Sequence, residues 1–137
     1  MNYLELTQII RDEEIALEKM LDLLENQYKL IMKKEVFPLE AIVDNIAESN
    51  REIAAHEMKR RKFIGNNDMK EIVKNSNYSD LDDAFRSINK VLHMVKLQKD
   101  TNELLLRQQM SYNNQILNMI NPRRETKTYN SYGNLSR

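Results

Sequence analysis

Two histidines, His56 and His93, are the best candidates for metal ligands in a chain that contains no cysteine. Metal sites in helical bundles place a glutamate three residues before each histidine, so that both ligands project from one face. Those two positions are Ile53 and Lys90, and the sequence has no His-Glu-x-x-His motif. We therefore expect no metal site and no cofactor, with both histidines on the flanks of helices.

Residues 59–62, Lys-Arg-Arg-Lys, form the densest basic cluster and suggest contact with nucleic acid. Four consecutive residues of a helix point all round it, however, so they do not form one flat patch. The formal net charge of the chain is also zero. Cations near the end of a helix, where its dipole favours them, explain the cluster more simply, and we expect no nucleic-acid partner.

Carboxylates are frequent in the first stretch of the chain, where Asp12, Glu13 and Glu14 predict an acidic exterior for a helix. No pattern pairs one of them with a nucleophile or places it in an apolar pocket. The absence of cysteine excludes thiolate catalysis and zinc sites built on sulfur. The sequence predicts a protein that is not an enzyme.

The N-terminal residues and the hydropathy of the chain indicate where in the cell the protein is located. The first ten residues lack the basic region of a signal peptide. No run approaches the roughly 18 uncharged apolar residues that a membrane span requires. We expect a cytoplasmic protein without membrane insertion.

Two glycines and two prolines in 137 residues leave very few turn formers, which argues against sandwiches, barrels and glycine-loop nucleotide folds. Apolar residues instead recur in steps of three, four or seven, as in a helix that packs along one seam. In the first helix this stripe is Leu6, Ile10, Leu17, Met20, Leu24, Tyr28 and Ile31. The predicted fold is all-α, an elongated antiparallel bundle or coiled coil of three long helices.

Helix boundaries follow from the few breakers. We predict helices over residues 2–34, from Pro38 to Gly65, over the short connecting stretch 68–74, and from a Ser79 capping box to Asn121-Pro122. The predicted helical domain is 1–121. Residues 122–137, which are polar and basic, are predicted to form a disordered C-terminal tail.

The second half of the last helix carries two adjacent apolar stripes, a face wider than one partner helix needs. Polar residues interrupt it, which would weaken a closed core and fix the register with a partner. One interpretation is that the first helix covers this face completely. The other is a surface for helices of another protein, formed by Asn102, Leu105, Leu106, Gln109, Met110, Asn113, Ile116, Leu117 and Ile120.

The C-terminal half also resembles the FlgN family. The similarity lies in the strings 102–109, NELLLRQQ, and 112–117, YNNQIL, followed by a proline and by the tail 129–133, YNSYG. The resemblance implies a cytoplasmic chaperone of flagellar type III export that binds C-terminal helical segments of the junction proteins FlgK and FlgL. It further implies docking of the tail on the export gate protein FlhA through Tyr129, beside Gly133.

A different class of function is compatible with the same apolar face. The chain could be a structural or regulatory coiled-coil adaptor that associates with a second copy of itself. Self-association that responds to concentration and not to a client would distinguish the two hypotheses.

Overall fold

The computed structural model describes residues 1–110, which form four helices and no strand. They are α1 (Tyr3–Lys33), α2 (Val36–Ile64), α3 (Met69–Ser76) and α4 (Ser79–Met110). The all-α prediction is confirmed for this range. The predicted continuation of the last helix to residue 120 and the predicted tail 122–137 lie outside the described residues.

Three residues explain where the first two helices begin or end. The side chain of Asn2 accepts a hydrogen bond of 3.0 Å from the backbone N–H of Glu5 at the start of α1. Pro38 lies in the first turn of α2, two residues inside the helix rather than at its start, where its missing N–H costs nothing. Gly65 ends α2 with φ 63° and ψ −131°, a conformation open essentially to glycine alone.

The entry into α4 differs in detail from the predicted capping box. Ser79 is the first helical residue and not the cap. The carbonyl of Tyr78 accepts from the N–H of Asp82 at 3.1 Å, and the Tyr78 N–H itself donates to the hydroxyl of Ser76. Asn77, at φ 53°, ends α3 in the left-handed conformation just before this turn. Asparagine tolerates the left-handed conformation better than most residues, which explains its position.

Pairs of contacting residues define how the helices run. Arg60 of α2 bonds Glu13 of α1, and Lys19 of α1 bonds Glu52 of α2, so these helices are antiparallel. Ser87 of α4 bonds Glu14 of α1, and Asn102 bonds Leu24 further along both helices, so α4 runs parallel to α1. The bundle is up, down, up, with α1 in the middle. Helix α1 packs extensively on both α2 and α4, while α2 and α4 touch at only a few points.

The predicted stripe of α1 forms the core, with one exception. Leu6, Ile10, Leu17 and the later members of the stripe are buried together with the apolar side of α4. Tyr28 was expected in the core and is 38% exposed, which makes that prediction wrong. Gln27 is buried in its place, because its side chain lies against α4 and accepts a hydrogen bond there.

The predicted acidic exterior of α1 is also wrong at two positions. Glu13 and Glu14 are only 5% and 9% exposed. Arg60 of α2 forms an ion pair with Glu13, and the hydroxyl of Ser87 of α4 donates to Glu14 at 2.5 Å. Each carboxylate faces a different neighbour of α1, and these polar partners are what make its burial tolerable.

Candidate protein-binding surface on the fourth helix

A buried polar layer crosses the bundle about three quarters of the way along the described part of α4. The amide nitrogen of Asn102, which is 1% exposed, donates to the carbonyl of Leu24 at 2.8 Å and to Oε1 of Gln27 at 2.9 Å. Its oxygen accepts from Nε2 of Gln98 at 3.0 Å. We call Gln27, Gln98 and Asn102 the polar layer. Because every member is bonded, the layer fixes the register of α4 on α1.

Beyond the polar layer lies a second, smaller apolar core. Ile31, Leu39 and Leu106 are buried in it, and Leu105 packs against its edge. Nε2 of Gln109 donates to the carbonyl of Ile31 at 3.0 Å, at the last turn of α1. We call the three buried residues the end cluster. It joins α4 to the turn between α1 and α2.

The predicted binding residues therefore fall into two groups. Asn102, Leu106 and Gln109 all face α1 and contact it, as expected if the first helix covers this side of α4. Leu105 is half-buried beside them. These residues therefore fix the register of α4 against α1 of the same chain. Their part in client binding stays a prediction. Met110 is the last described residue, and the remaining candidates lie outside the described range, namely Asn113, Ile116, Leu117, Ile120, Tyr129 and Gly133.

An apolar stripe on the opposite side of α4 was missed from the sequence. Met94, Leu97 and Leu104 are 44%, 60% and 51% exposed. Their spacing places them on one face, which points away from the face that carries Asn102. Thr101 lies between them and turns its hydroxyl back to the Leu97 carbonyl, at 2.9 Å. We call Met94, Leu97 and Leu104 the outer stripe. Its signal in the sequence is the same spacing of three and four residues, on the otherwise polar side of the helix from residue 94 onward.

Comparison with known proteins identifies the family of the chain. The model of the FlgN protein family matches residues 1–137, the whole chain. The chain belongs to the FlgN family. A search of curated proteins and of solved structures finds no match. Membership of the FlgN family implies, in general terms, the role of a flagellar export chaperone.

The outer stripe gives this FlgN chain an α4 that is apolar on two sides. The inner side packs on α1 through Val95, Leu106 and their neighbours. Within residues 1–110 no helix covers the outer side, as its exposure shows. Exposed apolar residues at helical spacing are the anchors by which one helix binds another.

The histidines and the basic cluster of the FlgN chain lie where the sequence predicts. His56 is half-buried on α2 and His93 is exposed on α4. No group of three or more histidine and acidic side chains in the described part of the chain could hold a metal ion. Of residues 59–62, Arg60 turns inward to Glu13, whereas the other three are exposed, so the cluster forms no single basic patch.

An ion pair on α2 shifts the pKa of a carboxyl group. The pKa of Glu48 is lowered from its ordinary 4.5, chiefly because the side chain of Arg51 donates a hydrogen bond to the carboxylate at 2.6 Å. This pair lies on the exposed side of α2. It belongs to the solvated surface of the FlgN chain and not to a site.

Among residues 1–110, no helix combines the length and the apolar character that crossing a bilayer demands.

Proposed function

We propose that this FlgN chain is a cytoplasmic, non-enzymatic export chaperone for the hook-filament junction proteins FlgK and FlgL. It holds their C-terminal helical segments and delivers them to the export gate protein FlhA. The observation that carries the proposal is the outer stripe, an exposed apolar face on the longest helix of a FlgN-family chain.

The outer stripe has the chemistry that a client helix needs. Full burial of a large apolar side chain yields about 1.5–3 kcal/mol. Since Leu97 and Leu104 are about half exposed, a client helix gains a useful part of that amount at each position. Met94 adds a flexible thioether that adapts to irregular surfaces. Such contacts are strong enough to cover a client and weak enough to be exchanged at the gate.

The other predicted residues have defined parts in the proposal. Leu105, next to the outer stripe, belongs to the client surface, and Ile116 and Leu117 are assigned to it from the sequence. Asn102, Leu106 and Gln109 contact α1, so they contribute to a client only when α4 separates from α1 there. The proposed docking of the tail on FlhA, through Tyr129 beside Gly133, rests on the resemblance of the tail to the FlgN family.

Calorimetry with the C-terminal segments of FlgK and FlgL tests the client surface on the full-length chain. We expect Leu97→Asp combined with Leu104→Asp to weaken binding by about tenfold or more, because two apolar contacts are replaced by charge. The matched control is Leu4→Asp combined with Ile15→Asp, since Leu4 and Ile15 are similarly exposed but lie on α1. Absence of heat with both segments, or equal losses in both double variants, would refute the proposal.

A second pair of variants tests the division of labour along the chain. We expect Leu117→Asp to abolish client binding. Tyr129→Ala should leave client binding intact and lower the affinity for the cytoplasmic domain of FlhA. Equal effects of the two substitutions on both partners would contradict separate client and gate surfaces.

The alternative function is a self-associating coiled-coil adaptor. The outer stripe supports it as well, because two copies could pair through Leu97 and Leu104. Light scattering would then show a mass that rises with concentration, falls in the Leu97→Asp and Leu104→Asp double variant, and does not respond to FlgK or FlgL segments.

A further inference from the structure

A long groove runs between α2 and α4, on the opposite edge of α4 from its outer stripe. Because α2 and α4 hardly touch each other, the side chains of α1 form the floor of this groove. Its larger section has a volume of about 370 Å³ and is floored by Leu17, Met20 and Leu24. An adjoining section of about 270 Å³ continues past Leu17 toward Ile10. We call the two sections together the groove.

The walls of the larger section are mostly apolar, whereas the adjoining section also contains Glu13, Glu57 and Arg60. Ile46 and Ile53 of α2 face Leu92 and Val95 of α4 across it. On α1 the floor extends from Ile10 to Gln27, which corresponds to about 26 Å at 1.5 Å per residue. A helix of about 18 residues has this length. Placed there, it would contact α1, α2 and α4 and complete a four-helix bundle.

The two rims of the groove differ in charge. Lys96, Lys99 and Glu103 line the α4 side and are exposed, so this rim carries one net positive charge. Within residues 1–110 no carboxylate pairs with either ammonium group. On the α2 side the rim carries Asn50, with the exposed Ala47 and Ala54 one turn to either side. The groove therefore favours an occupant whose carboxylates lie beside Lys96 and Lys99 and away from Glu103.

The C-terminal part of the same chain lacks this chemistry. Residues 111–122 contain no acidic side chain. The stretch 123–137 has four basic residues and one acidic residue, so it would bring like charge to Lys96 and Lys99. Charge complementarity thus favours a separate protein over residues 111–137.

We propose that the groove binds an amphipathic helix of a partner protein. The apolar stripe of that helix packs on α1, and its Asp or Glu side chains pair with Lys96 and Lys99. This site is distinct from the outer stripe and goes beyond the proposed function. It can be absent while FlgK and FlgL bind the outer stripe, and its experiment uses neither of those proteins.

The probe is a blocked amphipathic peptide of about 18 residues, with leucine along one face and glutamate on one flank. A twin peptide carries lysine in place of each glutamate. Both are titrated against the full-length chain by fluorescence anisotropy. We expect the glutamate peptide to bind the wild-type chain more tightly than its twin. Lys96→Glu combined with Lys99→Glu should weaken the glutamate peptide by about tenfold and strengthen the lysine peptide.

A matched control separates local pairing from overall charge. Lys74→Glu combined with Lys90→Glu changes the net charge equally, at two exposed lysines outside the groove. We expect it to leave both affinities unchanged. Failure of the glutamate peptide to bind, or equal effects of the two double variants, would overturn the proposal.

The position of the bound helix can be tested directly, because the chain contains no cysteine. A single cysteine replaces Asn50 and carries a photocrosslinker, with Lys59→Cys on the opposite side of α2 as control. We expect the glutamate peptide to crosslink from position 50 and not from 59. Crosslinks from position 50 to residues 111–137 or to a second chain, undisplaced by the peptide, would show a different occupant and overturn the proposal.

Discussion

The guanidinium of Arg60 holds the buried carboxylate of Glu13, with Nε 2.8 Å from Oε1 and 47 residues of chain between them. The same guanidinium reaches Glu57 of its own helix at 3.9 Å. Glu13 is only 5% exposed, so it depends on this one cation. The pair ties the first half of α1 to the last turns of α2.

Removal of Arg60 should therefore destabilise the fold. We expect Arg60→Met to lower the free energy of unfolding by about 2 kcal/mol, less than for a fully buried pair because Arg60 is 22% exposed. The double variant Glu13→Leu with Arg60→Met should recover most of the loss, since no unpaired charge remains buried. Urea unfolding followed by circular dichroism measures both. A double variant no more stable than Arg60→Met alone would contradict this explanation.

The polar layer makes a second prediction. Asn102→Leu removes the amide group that donates to Oε1 of Gln27, so this buried oxygen is left without a hydrogen bond. We expect the free energy of unfolding to fall by about 1–3 kcal/mol. Gln108→Leu is the control, because Gln108 is exposed on the same helix. It should change stability by no more than about 0.5 kcal/mol. Comparable losses in the two variants would show that Asn102 has no special role.

The ion pair of Glu48 and Arg51 predicts a dependence on pH. The folded state lowers the pKa of Glu48, so its contribution to stability is present above the ordinary pKa of 4.5 and is lost as pH falls through the folded value. Carboxyl resonances followed by NMR should place the titration of Glu48 below 4.5. In Arg51→Gln the titration should move back up. An unchanged midpoint in that variant would remove Arg51 as the cause.

Two helix ends should respond to substitution in opposite directions. Gly65 has φ 63° and ψ −131°, and a Cβ there would meet no atom within 4 Å. Gly65→Ala should still cost about 1–3 kcal/mol from backbone strain alone. Lys34 ends α1 in the left-handed conformation, where Lys34→Gly should be neutral or stabilising by up to about 1 kcal/mol. Thermal unfolding of the two variants checks the contrast.

Much of the fold could be predicted from the sequence because its helices are long and their breakers few. Pro38, Gly65 and the ends of the predicted stretch 68–74 fall within two residues of observed helix ends. The apolar stripe of α1 was placed correctly at all positions but Tyr28. Periodicity specifies which face of a helix is apolar, and that information is local.

The features that depend on neighbours could not be derived in this way. Glu13 and Glu14 resemble exposed acids in the sequence, and only the positions of Arg60 and Ser87 on other helices explain their burial. The groove likewise results from the separation of α2 and α4, which no periodicity reports. The candidate client surface could be predicted only in part. The residues predicted for it on the inner side of α4 contact α1, and the outer stripe lies among polar residues, which obscure it in the sequence.

The polar layer also divides the bundle into regions of unequal stability. The end cluster beyond it buries far fewer apolar side chains than the main core, so a local opening there costs much less than global unfolding. Hydrogen exchange should accordingly be fast for the amides around Leu106 and slow for those around Val95. Each such opening would briefly free Leu106 and Gln109 from α1, so that the inner face of α4 becomes accessible without loss of the fold.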